Sequence, residues 1–384
     1  MSNEVTKGGQ PAVSAPLPPG ATSERFVFTG SGSEYFRIWV VNVLLTVLTL
    51  GVYSAWAKVR KARYFWQNTR LGGHVFDYHG RPVAILRGRI IALVLLAGYT
   101  WAFEFSNTAG IVTFVVLCVV GPWLFMRAQQ FKLGNTSYRG LRFGFESHPR
   151  EAYRIVLPIL VLWLLPTIIA TLTTDETWWG LLASALISML AVPWMHHRLK
   201  AYQHRRACYG DRTFSFVPIR GKFYATYAKG LALVVLGAMA GGFVVTFLNY
   251  ALRDAYSLLE GLTVEAWLYG IAAGLGVYLL AWPYLAARLQ QAVWASTRLR
   301  EVSFRTRIEA SRLSGLVLKN VTLIVLTAGL YWPFAAIALA RYRIECMRIY
   351  SGVPLGVITA GLHSMPVGAA GEGALDSFGI DLGV

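Results

Sequence analysis

The chain has 384 residues, 55% hydrophobic and only 14% charged, with a mean hydropathy of +0.48 and a formal net charge of +17. A soluble domain carries roughly a quarter charged residues, so a water-soluble globule is excluded. Paired-carboxylate catalysis lacks material as well, because the 19 acidic residues sit mostly in loops and tails.

Residues 1–24 are rich in Pro, Gly, Ser and Ala and read as a disordered tail. They hold no short apolar segment with a small-residue cleavage site, so no cleaved signal peptide is expected. Apolar runs follow at 38–57, 89–104, 108–126, 155–172, 178–195, 230–250, 266–286 and 316–340. Their length approaches the roughly 20 residues that a bilayer demands. Lys and Arg crowd into the loops 58–89, 127–154, 196–229 and 287–319. The intervening loops carry Glu104, Asp175, Glu176, Asp254, Glu260 and Glu265, with Arg253 their one basic residue. That alternation places the basic loops in the cytoplasm. The charge therefore reads as membrane topology and not as nucleic-acid binding, and the basic rims should attract anionic lipid head groups. Residues 356–384 read as a flexible C-terminal tail. Cys118, Cys208 and Cys346 are too scattered for a disulfide framework or a zinc site.

A cassette recurs five times along this route. Its anchors are Ala55-Trp56, Pro122-Trp123, Pro193-Trp194, Pro283-Tyr284 and Pro333-Phe334. In the first four copies an arginine follows five residues on (Arg60, Arg127, Arg198, Arg288), and these four are the candidate head-group contacts. Sixteen residues later come Phe76, Phe143, Phe214 and Phe304. Fixed-period self-similarity marks stacked copies of one unit. Between anchor and phenylalanine lie hairpin signals: TRL-GG-HVFDY at 69–78, TSY-RG-LRFGF at 136–145, and Gly-Asp within ACYGDRTFSF at 207–216. The fourth copy has Arg-Glu at 300–301, a poor turn.

The chain ends match at an offset of 278 residues, which pairs Asn42 with Asn320, Thr49 with Thr327, Gly51 with Gly329 and Tyr53 with Tyr331. The organisation expected is a repeated membrane domain over 25–355. Its terminal segments, 26–75 and 304–355, are equivalent, and hairpin units 76–142, 143–213 and 214–303 lie between them. If the terminal segments each cross once, eight helices span and both termini lie outside. If each enters and leaves the same face, six span and the termini are cytoplasmic; the charge rule favours this second arrangement. The fold class read here is an all-α polytopic membrane protein, with repeated transmembrane helical hairpins, short cytoplasmic β-hairpins and basic helical extensions.

The run FVFTGSGSEYFRIWVVNVLLTVLTLGVYSAWAKVRKARYFWQNTRLGGHVFDYHG, with its partial copy TAGLYWPF at 327–334, resembles the YjgN family of bacterial inner-membrane proteins, catalogued as domain of unknown function 898. The resemblance covers roughly 25–355 and implies a bacterial inner-membrane location. It implies no activity and no catalytic residues.

Candidate chemistry is sparse. No catalytic, cofactor-binding or metal site is expected. His74, Asp77 and His79 gather near the first hairpin but read as a solvated hairpin, and His196, His197 and His204 as rim histidines. Asn42 and Asn320 are the intramembrane polar pair, and amides there either hydrogen-bond neighbouring helices or line a path. Paired Gly-broken apolar segments in corresponding copies point to a transporter site, which would comprise Asn42, Thr49, Gly51, Tyr53, Asn320, Thr327, Gly329 and Tyr331. Gly237-x-x-x-Gly241 and Gly270-x-x-x-Gly274 permit close helix packing. Two functions emerge: a transporter- or channel-like protein, or a non-catalytic scaffold that touches lipid and recruits an unknown protein partner through its cytoplasmic hairpins. An enzyme ranks third.

Overall fold

A computed structural model describes residues 22–172, 178–251, 274–275 and 277–352. The chain repeats one unit, strand–helix–helix–strand, five times. The first comprises β1 (Thr22–Phe28), α1 (Gly32–Leu48), α2 (Ser54–Gln67) and β2 (Thr69–Leu71). The second holds β3 (His74–Tyr78), α3 (Pro82–Phe105), α4 (Asn107–Gly134) and β4 (Thr136–Tyr138). The third runs through β5 (Leu141–Phe145), α5 (Pro149–Leu172), α6 (Trp178–Arg206) and β6 (Ala207–Tyr209). The fourth has β7 (Arg212–Thr213), β8 (Ser215–Phe216), α7 (Arg220–Ala251), a π-helical turn at Val277–Ala281, α8 (Trp282–Ala295) and β9 (Thr297–Leu299). The fifth is β10 (Val302–Thr306), α9 (Ala310–Leu326), α10 (Trp332–Glu345) and β11 (Met347–Ser351).

Local chemistry explains how each unit turns from helix to strand. The last carbonyls of a helix have no partner within it, and here side chains supply one. Asn68 and Asn135 each donate from Nδ2 to the carbonyl four residues back, both at 2.8 Å. Thr69, Thr136 and Thr297 do the same from Oγ1, at 2.8, 3.0 and 2.8 Å. The anchor residues mark where the second helix passes into its basic extension. Pro122 and Pro193 lie inside α4 and α6, whereas Pro283 and Pro333 fall at helix starts, where a missing N–H costs nothing. Ala55 and all four anchor prolines are buried.

The strands assemble into one antiparallel sheet of 11 strands in the order β7-β6-β5-β4-β3-β2-β1-β11-β10-β9-β8. Its two edges, β7 and β8, are separated in the chain by Phe214 alone, so the sheet curls into a nearly closed barrel. Each outgoing strand is handed from one neighbour to the next along its length. His74 and Val75 pair with β2, and then Phe76–Tyr78 pair with β4. Leu141 and Arg142 pair with β4, and then Phe143–Phe145 pair with β6. The fifth hairpin is split between the chain ends, where Thr22 lies opposite Ser351.

Side chains from every part of this ring meet in one apolar cluster, which must occupy the concave side. Phe76, Phe304, Leu71, Tyr138, Tyr209, Leu299 and Ile349 belong to it, with Phe26, Phe143 and Phe214 packed against them. The five equivalent phenylalanines thus converge, with ring centroids 6.1 Å apart for Phe26–Phe76, 6.4 Å for Phe76–Phe143 and 6.0 Å for Phe214–Phe304. Tyr138 and Tyr209 carry hydroxyls into this plug and donate to the carbonyls of Leu71 and Tyr138, each at 2.8 Å. Burial raises both phenols, Tyr209 to about 12. The interior is filled, as expected for a small barrel.

This architecture corrects the all-α expectation. The hairpins are not separate appendages of a helical protein: they join into a barrel-like sheet that carries a core of its own. Strands of two to seven residues leave little periodicity to read, and the two strands that pair within a unit lie about 60 residues apart in sequence.

Helices occupy the other end of each unit. Among the described residues, four helical stretches are long and apolar enough to cross a membrane: Pro82–Ala102, Thr108–Gly134, Trp179–Arg206 and Arg220–Phe247. Their outer faces leave Val94 65%, Leu190 70%, Met239 67% and Phe243 73% exposed. Apolar surface on that scale needs lipid around it. The apolar run at 266–286, the acidic loops at 173–177 and 251–265, and both tails lie wholly or partly outside the described residues.

Candidate functional site

The two Gly-broken segments form sharp corners between short helices, and the two corners share one geometry. Thr49 caps α1 and Thr327 caps α9. Leu50 and Gly51 then take φ of 48° and 91°, matched by 47° and 91° at Ala328 and Gly329. Positive φ at two successive positions needs at least one glycine to be cheap. Gly51 N–H reaches back to the Thr46 carbonyl at 2.7 Å, and Gly329 N–H to the Ile324 carbonyl at 2.8 Å, closing the helix ends as Schellman motifs. The threonine hydroxyl does two jobs. Thr49 Oγ1 donates to the Leu45 carbonyl (2.7 Å) and accepts from Tyr53 N–H (2.9 Å). Thr327 repeats this with the Leu323 carbonyl and Tyr331 N–H, at 2.7 and 3.0 Å. The tyrosine ring then stacks on the anchor aromatic, Tyr53 on Trp56 at 6.2 Å and Tyr331 on Phe334 at 5.5 Å. Thr-x-Gly-x-Tyr is therefore a complete helix–corner–helix device.

Asn42 and Asn320 lie on the first legs of these two hairpins, 7% and 6% exposed. Arg60 Nη1 donates to Asn42 Oδ1 at 3.5 Å and to the Tyr53 hydroxyl at 3.2 Å. Asn320 Nδ2 donates to the Ala335 carbonyl at 3.5 Å, while its Oδ1 is buried with no hydrogen-bond partner among the described residues. Each amide thus faces the second leg of its own hairpin.

The arginines behave as a set. In three copies the guanidinium lies over the anchor aromatic four residues back: Arg127 over Trp123 at 5.4 Å, Arg198 over Trp194 at 4.7 Å, Arg288 over Tyr284 at 5.9 Å. Such cation–π contact holds a charge beside an amphipathic ring. Arg60, in the first unit, turns to Tyr53 and Asn42 instead. Arg60 and Arg288 are exposed, and Arg127 and Arg198 half-buried.

Gly237 is buried and Gly241 half-buried within α7, Gly274 is exposed with open space around it, and Gly270 lies outside the described residues. The rim reading of the histidines needs correcting. His197 is buried and accepts from Ile219 N–H at 3.1 Å, His196 Nδ1 meets the Tyr227 hydroxyl at 2.7 Å, and His204 Nδ1 meets Thr297 Oγ1 at 3.0 Å. They tie the third unit to the fourth. Cys208, on β6, has its thiol pushed up to about 12 by burial and by Glu146, so it is unreactive at neutral pH. One constellation went unread in the sequence. His79 meets Ser137 Oγ at 2.8 Å across 58 residues, a pairing that only the joining of separate hairpins creates.

A family model described as a bacterial protein of unknown function (DUF898) matches residues 23–377. The chain belongs to this family. Among its relatives, the inner membrane protein YjgN of Salmonella typhimurium is 32% identical over 139 residues, 35% of each chain. The inner membrane protein YjgN of Escherichia coli K12 is 31% identical over 147 residues, 36% of each. The match thus spans about a third of the length of these curated relatives. No solved structure matches the chain.

Proposed function

We propose that the chain is a multi-pass bacterial inner-membrane protein with cytoplasmic termini, and that it works as a non-catalytic, lipid-contacting scaffold. The observation that carries this reading is the seat of Asn42 and Asn320, both buried against the second leg of their own hairpin. A transport path needs such groups open to water. Cytoplasmic termini are supported by β1 and β11, which lie in the same sheet as the hairpins of the basic loops. The arginine–aromatic belt suits anionic head groups, since tryptophan and tyrosine favour the membrane interface and arginine attracts its phosphates. The barrel beyond it offers a cytoplasmic face to a protein partner. Cysteines placed at 42 and 320 in a chain otherwise free of cysteine should resist a water-soluble maleimide in intact membranes. Rapid labelling at both positions would replace this reading with the transport one.

One observation favours that second reading. The unpartnered Oδ1 of Asn320, one residue from each broken hairpin being polar at the same place, is what a path holding water or an ion would show. In that case the labelling should also be slowed by substrate.

A further inference from the structure

Outside the features above, the described residues contain a cleft of about 470 Å³ on the wall of the barrel, between the first and second hairpins. Its chemistry is one-sided. Arg139 and Arg142 bring two guanidiniums, His74 and His79 two imidazoles, and Ser137 a hydroxyl. Asp77 is the one carboxylate lining it, and one of its oxygens is already occupied: Gln67 Nε2 donates to Oδ1 at 3.0 Å and Tyr78 N–H at 2.8 Å. Its other oxygen stands 3.8 Å from His79 Nδ1. Arg139 Nη2 lies 2.9 Å from His74 Nε2, which holds the guanidinium over the cleft from across the strand pair. Arg142 is exposed, and its side chain makes no hydrogen bond or ion pair among the described residues.

We propose that this cleft binds a phosphate group. Guanidinium forks match tetrahedral oxyanions in both geometry and charge, and His79 and Ser137, bonded to each other at 2.8 Å, line the same cleft beside them. Arg139 occupies the first turn position of its hairpin at φ 51°, where the neighbouring hairpins have Gly72 and Gly210. A left-handed non-glycine residue is strained. Arg300 sits at the same turn position with φ 51°, away from the cleft, so the strain does not itself mark the site. It does supply a matched control. The turns lie at the strand ends remote from the helices, so the phosphate belongs to a soluble compound or to a head group that reaches past the interface.

The test uses the full chain in phosphatidylcholine nanodiscs, titrated calorimetrically with inorganic phosphate. Saturable binding is expected, weakened about tenfold or more by R139G and by R142Q and unchanged by R300G. R139G installs the residue that two sister hairpins use, so its fold should be at least as stable as that of the parent chain. Phosphatidic acid added to the disc distinguishes the sources: unchanged phosphate affinity assigns a soluble ligand, and competition assigns a lipid head group. Absence of saturable binding by the parent chain, equal affinity in R139G, or an equal loss in R300G would each overturn the site.

Discussion

Individual residues in the terminal units show how a repeated sequence repeats its chemistry. Arg63-Tyr64 and Arg341-Tyr342 are the same pair 278 residues apart. Arg63 Nε donates to the Tyr78 carbonyl at 3.3 Å and Arg341 Nη2 to the Gly30 carbonyl at 2.7 Å. Tyr64 OH accepts from Ser31 N–H, and Tyr342 OH from Glu309 N–H, at 2.8 and 3.0 Å. Thr49→Val removes both hydroxyl bonds while keeping shape, and leaves Tyr53 N–H without its partner. It should cost about 0.5–2 kcal/mol, the range of a lost helix cap, and Thr327→Val should cost the same. Thermal unfolding in detergent measures each, and additivity of the double variant follows if the corners are independent. Such residues were readable as important from their offset alone. Their roles were not, because Thr-x-Gly-x-Tyr fits a polar path and a capped corner equally well until the hydrogen bonds are known.

Among the elements, the helices were legible and the sheet was not. Apolar runs, anchors and basic stretches announce helices over many residues, so their existence follows from composition and period. Each hairpin also announced itself through its turn glycines, except at Arg300, where an arginine takes the left-handed conformation. What no local pattern shows is that Phe76–Tyr78 leave β2 and pair with β4. Nor does it show that five phenylalanines spaced through 279 positions, from Phe26 to Phe304, meet in one plug. The phenylalanine spacing was visible, but it registered as a repeat marker and not as a shared core. The plug should dominate stability: Phe76→Ala removes a side chain stacked on Tyr138 at 4.6 Å and should cost about 3–5 kcal/mol. Val75→Ala, on the outward face at 44% exposure, should stay within about 0.5 kcal/mol. Chemical denaturation of the two variants side by side checks the contrast. Equal losses would mean that the plug is not the core of the barrel.

The whole molecule is a ring of unequal members. The legs of units two and three and the first leg of unit four run 24–32 residues, about 36–48 Å of helix, whereas the first and fifth units have legs of 17 and 14 residues, about 25 and 21 Å. The two short units are neighbours, joined through β1 and β11. Their corners end in Leu50 and Leu330, 95% and 57% exposed. The join between them has another consequence. Thr22 and Ser351 are paired across adjacent strands, so the fifth hairpin differs from the other four only in lacking a covalent turn. Circular permutation should therefore be tolerated. Linking Ser351 to Thr22 through a short glycine turn and reopening the chain between Gly72 and Gly73 moves the break from one hairpin to another without severing a helix or a strand. The permutant should fold and insert, with a melting temperature within a few degrees of the parent, as expected for a change below about 1 kcal/mol. Failure to insert would show that the order in which units emerge matters as much as their final closure.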